Sequence, residues 1–74
     1  MKITFIGGGN MAQAIISGIK KNNINCEILV SEPMESKRNY LEKFYGIKTS
    51  NNNIISIKNS DFIILAIKPQ IFPD

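Results

Sequence analysis

The sequence has 74 residues, of which 43% are hydrophobic, and a formal net charge of +3. A chain of this size forms at most one domain, and its apolar content is typical of a globular chain rather than a disordered one. It contains no histidine and one cysteine, Cys26. A Cys/His zinc site, a histidine base and an internal disulfide are therefore excluded for this segment.

The positive charge does not indicate a nucleic-acid partner. The nine Lys and Arg residues are scattered along the sequence, with no run of five or six like charges and no stacking aromatics on a basic face. The N-terminus has no secretory pattern. No apolar run approaches the roughly 18 residues of a membrane span. We expect a cytoplasmic protein with no nucleic-acid partner and no membrane partner.

The chain begins with a strand pattern followed by a helix pattern. Residues 2–6 are rich in β-branched and aromatic residues without polar alternation, which is typical of a central parallel strand covered on both faces. Residues 10–21 then place apolar side chains at helical spacing. Gly18 lies inside that helix, where glycine costs about 1 kcal/mol relative to alanine. Its presence predicts close packing of the helix against the sheet.

The same alternation continues along the chain. A second strand is predicted at 27–31 and a second helix from Ser31-Glu32-Pro33 to Gly46, with the aromatic cluster Tyr40, Phe44 and Tyr45 in the core. A short third strand at 47–49, a brief helix carrying Ile54, Ile55 and Ile57, and a very apolar fourth strand at 62–67 follow. This order predicts an α/β fold, a Rossmann-like doubly wound parallel sheet with strand order 3-2-1-4.

The fourth strand would lie at an open edge of that sheet. A six-residue apolar run at an open edge is an aggregation hazard that proteins normally avoid. We therefore expect residues 1–74 to be the N-terminal portion of an incomplete Rossmann domain.

The first strand ends at a glycine motif, Gly7-x-Gly9-x-x-Ala12. Gly7 permits a tight turn, Gly9 leaves room for a diphosphate near the backbone, and Ala12 lets the helix lie close to the strand. A strand before the motif, a helix after it and Glu32 about 20 residues later are the context that a dinucleotide site requires. The alternative is a tight turn that binds nothing.

Three loops are expected to meet beyond the carboxyl ends of the strands. The glycine loop would hold the diphosphate, Glu32 would accept hydrogen bonds from the adenosine ribose, and the loop after the fourth strand would flank the far half of the dinucleotide. Lys68 in that last loop either binds ribose or phosphate or is a solvated lysine. No acid–base or nucleophilic pair is evident, so this segment would hold a cofactor that carries the hydride.

Two stretches resemble pyrroline-5-carboxylate reductases. Residues 3–18 are similar to the opening of that family, a strand followed by Gly-x-Gly-Asn-Met-Ala, and residues 61–70 are similar to its apolar strand closed by Ala-Val-Lys-Pro-Gln. The resemblance implies reduction of 1-pyrroline-5-carboxylate to proline with NAD(P)H. It assigns cofactor binding to Ile6, Gly7, Gly8, Gly9, Asn10, Met11, Ser31, Glu32, Asn53, Ala66, Ile67, Lys68 and Pro69.

The resemblance also implies what lies outside this segment. The family's substrate-binding Ser/Thr residues and its helical dimerisation domain would follow Asp74, so the full-length parent would be a homo-oligomer acting on a small molecule. The segment alone would be inactive, with no catalytic residue and no metal.

Glu32 bears on the choice of cofactor. A carboxylate favours a free 2′-hydroxyl over a 2′-phosphate, which indicates a weak preference for NADH unless Lys37 or Arg38 turns towards the phosphate. Two alternatives remain open. One is another oxidoreductase, of the β-hydroxyacid dehydrogenase or deazaflavin-dependent NADP reductase type, although the former usually has Gly at the position of Ala12. The other is a nucleotide-binding module without catalysis.

Overall fold

Strands and helices alternate along residues 1–66, which are the residues described by the computed structural model of the chain. The elements in chain order are β1 (Lys2–Ile6), α1 (Asn10–Lys21), β2 (Glu27–Ser31), α2 (Glu35–Tyr45), β3 (Lys48–Ser50), α3 (Asn53–Ser56) and β4 (Phe62–Leu65). None of the helices in this part of the chain is long and apolar enough to cross a membrane.

The four strands form one parallel sheet in the order β3-β2-β1-β4. At the carboxyl end of β1, Ile6 pairs with Ser31 on one side and with Leu65 on the other. The chain therefore crosses over from one side of β1 to the other between β3 and β4. The predicted fold class and strand order are confirmed, and the crevice of a doubly wound sheet lies where the order reverses.

The core lies between the central strands and the helices. Phe5 of β1, Ile16 of α1, Val30 of β2 and Leu41 of α2 are all fully buried. Burying side chains of this size contributes about 1.5–3 kcal/mol each. This packing fixes the starts of α1 and α2 relative to the carboxyl ends of β1 and β2.

Two predictions about the helices are wrong. A Cβ added at Gly18 would meet no atom of the described part of the chain within 4 Å, so this glycine does not serve close packing against the sheet. The helix α2 begins at Glu35, with Met34 as its N-cap residue, rather than at Ser31-Glu32-Pro33. The reason is that Glu32 turns its carboxylate back to the main chain at Met34 and Gly8. Residues 32–34 therefore stay outside the helix, with a bend at Pro33.

The predicted burial of the aromatic cluster on α2 is also wrong for two of its three members. Tyr40 and Phe44 are 49% and 66% exposed and stack on each other with ring centroids 5.3 Å apart. Only Tyr45 packs against the core. Their spacing in the sequence matches an apolar helix face, but α2 buries a narrower stripe centred on Leu41.

Candidate functional site

The loops at the carboxyl ends of the strands are connected by main-chain hydrogen bonds. The N–H of Gly7 donates to the carbonyl of Ser31 at 2.8 Å, and the N–H of Ala66 donates to the carbonyl of Ile6 at the same distance. These bonds continue the sheet ladder beyond β1 on both sides. They place the glycine loop between the end of β2 and the end of β4, as predicted for a dinucleotide crevice.

Gly7 makes the turn out of β1. Its φ of 104° lies in the region that L side chains rarely adopt and that glycine adopts freely. The predicted role of this glycine as a tight turn is therefore confirmed.

Gly8 is a glycine because the protein packs against it. An added Cβ would lie 2.8 Å from Leu41 Cδ1 and 3.2 Å from Glu32 Oε1. Both neighbours are themselves buried, so neither moves away freely. The second glycine of the loop thus serves contact with β2 and α2 rather than contact with a ligand.

Gly9 differs from both of its neighbours. Its φ of −79° and ψ of −167° are extended backbone that any residue adopts. An added Cβ would meet nothing closer than the carbonyl oxygen of Ala66 at 4.0 Å. Neither backbone conformation nor packing within the described chain requires glycine here. The missing side chain leaves room for a group that comes close to the main chain, which fits a diphosphate.

The start of α1 offers hydrogen-bond donors at the same place. Gly9 is the N-cap residue, and within residues 1–66 no side chain caps the helix and no acidic residue lies in its first turn. The first N–H groups of a helix have no partner inside the helix and carry the positive end of its dipole. Asn10 and Met11, which open α1, are exposed. The position suits an anion.

Glu32 follows β2 and is only 5% exposed. Its Oε1 accepts a hydrogen bond from the N–H of Gly8 at 2.9 Å, and its Oε2 accepts one from the N–H of Met34 at 3.0 Å. A carboxylate has about four acceptor positions, so two are left for other donors. The carboxylate therefore shapes the glycine loop, and the described residues occupy two of its acceptor positions.

Ser31 and Asn53 also meet at this end of the sheet. The Ser31 hydroxyl donates to Asn53 Oδ1, so the start of α3 is tied to the end of β2. The residues predicted to bind cofactor thus come together where the structure describes them. These are Ile6, Gly7, Gly8, Gly9, Asn10, Met11, Ser31, Glu32, Asn53 and Ala66. Ile67, Lys68 and Pro69 lie outside the described residues.

Two side chains that the sequence reasoning did not assign support these loops. Gln13 Nε2 donates to the carbonyl of Gly8 at 3.2 Å. Arg38 donates through one guanidinium nitrogen to the carbonyls of Glu32 and Pro33 at 2.9 and 2.8 Å. The position of Gln13, one helical turn after Gly9, is the only sequence feature that could have suggested its contact.

Comparison with known proteins supports this description. The family model described as NADP oxidoreductase, coenzyme F420-dependent, matches residues 2–74. The pyrroline-5-carboxylate reductase of Vibrio alginolyticus is 40% identical to this chain over 99% of its length, and that of Haemophilus influenzae is 44% identical over 97%. In each case the aligned part is 27% of the relative.

Solved structures agree. A pyrroline-5-carboxylate reductase from Coxiella burnetii superposes with a TM-score of 0.83 at 37% identity, over 90% of this chain and 25% of that protein. A WlbA dehydrogenase solved in complex with NADH and UDP-GlcNAcA has a TM-score of 0.76 over 90% of this chain and 20% of that protein, and at 14% identity it shares the fold alone.

The chain spans about a quarter of the length of the relatives it matches. The resemblance drawn from the two sequence stretches is confirmed by the Vibrio, Haemophilus and Coxiella proteins, each of which is named a pyrroline-5-carboxylate reductase. The chain therefore belongs to the family described as NADP oxidoreductase, coenzyme F420-dependent, and within it is similar to pyrroline-5-carboxylate reductases.

Proposed function

We propose that this chain holds the reduced nicotinamide cofactor of a pyrroline-5-carboxylate reductase, which converts 1-pyrroline-5-carboxylate to proline. The observation that carries the proposal is the space at Gly9 that residues 1–66 leave unfilled, bounded at 4.0 Å by the Ala66 carbonyl. It lies directly in front of a helix start that none of their side chains caps. An anionic diphosphate is the group that both features suit.

Each part of the cofactor has its residues in this proposal. The main chain from Ile6 to Met11 holds the diphosphate. Ser31 and Glu32 hold the adenosine ribose, and Asn53 lines the cofactor beside them. Ala66, with Ile67, Lys68 and Pro69 outside the described residues, flanks the nicotinamide half. When bound, the cofactor supplies the hydride that reduces the C=N bond. The chain binds and orients it.

Substrate binding, proton donation to the imine nitrogen and assembly into a homo-oligomer belong, in this proposal, to residues outside 1–74. The chain's own acids and hydroxyls support this assignment. Glu32 accepts hydrogen bonds from two main-chain N–H groups, and the buried hydroxyls of Thr4 and Ser31 bond Ser56 and Asn53. Neither hydroxyl has a base beside it that could activate it.

Weak selectivity for NADH over NADPH is part of the proposal and rests on Glu32. The carboxylate retains acceptor positions for a free 2′-hydroxyl, and a 2′-phosphate would bring like charge towards it. Arg38 is already bonded to the loop carbonyls.

The test is a steady-state assay of the protein as its gene encodes it. We expect oxidation of NADH or NADPH that depends on added 1-pyrroline-5-carboxylate, and a Gly9→Ala variant with the same folded content and much weaker cofactor binding. Absence of turnover with this substrate, together with oxidation of a β-hydroxy acid by NAD⁺ or NADP⁺, would overturn the proposal.

One alternative is favoured by a specific observation. The family description names coenzyme F420, which points to exchange of a hydride between a deazaflavin and NADP. Supplying the reduced deazaflavin with NADP⁺, or the oxidised deazaflavin with NADPH, in the same assay separates the two reactions. Cofactor binding without turnover of any of these substrates would leave a binding module as the function.

A further inference from the structure

Gly8 is fixed through the peptide units on both sides of it by side chains from two different elements. Glu32 Oε1 accepts from the Gly8 N–H at 2.9 Å, and Gln13 Nε2 donates to the Gly8 carbonyl at 3.2 Å. The first contact comes from the end of β2 and the second from α1.

Gln13 reaches the Gly8 carbonyl because side chains on a helix lean towards its N-terminus. A carbonyl oxygen can only accept, so the Gln13 amide must present its nitrogen to Gly8. Its oxygen then faces Tyr45, whose hydroxyl donates to Oε1 over a long 3.4 Å. The amide orientation is thus set from both ends, and the residue is partly buried.

The consequence for the site follows from peptide geometry. The carbonyl of Gly8 and the N–H of Gly9 belong to one planar trans unit, in which they point in opposite directions. While Gln13 holds the carbonyl, the Gly9 N–H points away from Gln13. The same contact turns the negative end of the Gly8 carbonyl towards Gln13 and away from the side to which the Gly9 N–H points, where an anion would lie.

The geometry points to Gln13 as a positioning residue for the cofactor, acting through the Gly8–Gly9 peptide. It holds the glycine loop in its diphosphate-binding shape before the ligand arrives. This inference rests on the proposed function, because it concerns the affinity of the loop for a diphosphate. Preorganisation of this kind raises affinity by removing the cost of ordering the loop on binding.

The test compares ligands that have and lack the diphosphate. Gln13→Met keeps side-chain length and helix propensity but removes both hydrogen bonds of the amide. We expect the dissociation constants of NADH and ADP to rise about 3- to 10-fold, the range of one lost hydrogen bond. The dissociation constant of adenosine, measured by ligand-observed NMR, should stay the same.

Ser17→Ala is the matched control. Ser17 lies one turn further along α1 and donates to the same Tyr45 hydroxyl at 3.4 Å, without reaching the glycine loop. NADH affinity should be unchanged in this variant. Gln13→Ala provides a second substitution of the same amide, with the highest helix propensity of any residue, should the methionine disturb folding.

The possible results separate the two proposals. Unchanged ADP and NADH affinity in both Gln13 variants would overturn the role of Gln13 and leave the proposed function standing. Equal weakening of ADP and adenosine would show a merely structural role and also overturn it. A wild-type protein that binds neither NADH nor NADPH would overturn the proposed function together with this inference.

Discussion

Substitution of Gly9 by alanine tests whether glycine is required at this position for cofactor binding or for the stability of the fold. The backbone at Gly9 is extended and the nearest atom to an added Cβ is 4.0 Å away. Alanine is therefore accommodated in the unliganded protein, and the lower entropy of the unfolded chain raises the free energy of unfolding by about 0.4–1 kcal/mol. The added methyl would occupy the space assigned to the diphosphate.

The expected loss of cofactor affinity follows from overpacking. Forcing a methyl group into an occupied space costs about 1–3 kcal/mol, which corresponds to a rise of about 5- to 150-fold in the dissociation constant. Titration of the protein with NADH or NADPH, followed by nicotinamide fluorescence, measures this change. Denaturant unfolding followed by circular dichroism measures the stability.

Gly8→Ala is the matched control, since it places the same methyl group one residue earlier. Its Cβ would lie 2.8 Å from the buried Leu41 side chain, so the free energy of unfolding should fall by about 1–3 kcal/mol. A Gly9→Ala protein that is as destabilised as Gly8→Ala, or that binds cofactor as tightly as the wild type, would refute the assignment of the space at Gly9.

Three further predictions concern charge and packing. Glu32→Gln keeps an acceptor for the Gly8 N–H and removes the charge. The ratio of the NADPH dissociation constant to the NADH dissociation constant should therefore fall about fivefold. An unchanged ratio in parallel titrations would exclude Glu32 as the residue that discriminates between NADH and NADPH. Thr4→Val removes the hydroxyl that donates to the buried Ser56 carbonyl. Because the Ser60 hydroxyl still donates to that carbonyl at 3.3 Å, the free energy of unfolding should fall by about 0.5–1.5 kcal/mol in denaturant titration. Ile16→Ala should lower the free energy of unfolding by about 2–5 kcal/mol because Ile16 is fully buried. Ile54 is 78% exposed, so Ile54→Ala should change the free energy of unfolding by less than about 0.5 kcal/mol. Similar losses in the two variants would contradict the described core.

The fold was predictable because its determinants are local and periodic. The bounds of β1 and α1 agree with the predicted residues 2–6 and 10–21, since the change from a strand pattern to a helical one is abrupt at the glycines. Strand order follows from the handedness of the crossovers once the alternation of elements is known. The aromatic spacing on α2 was misleading because periodicity indicates a face but not how much of it another element covers.

The candidate site was only partly predictable. The sequence places Gly7, Gly9 and Glu32 at the spacing that a dinucleotide requires, and these residues do meet at the end of the sheet. It does not distinguish the three glycines from one another. Gly7 is needed for its positive φ, Gly8 for a packing contact and Gly9 for an unfilled space. The last two depend on neighbours 22 or more residues away in the sequence. Side-chain contacts such as that of Gln13 with the main chain are set by the same tertiary packing.

The environment of Glu32 also bears on how strong the proposed cofactor selectivity can be. Repulsion between two unit charges about 4 Å apart ranges from about 1 kcal/mol in water to about 4 kcal/mol near a protein surface. Here the carboxylate already accepts from the N–H groups of Gly8 and Met34, whose dipoles offset part of its charge. The repulsion felt by a 2′-phosphate should therefore lie near the lower limit, about a fivefold effect on the dissociation constant. A preference for NADH above about a hundredfold would require a second determinant, and a clear preference for NADPH would show that the phosphate has a cationic partner stronger than this residual charge.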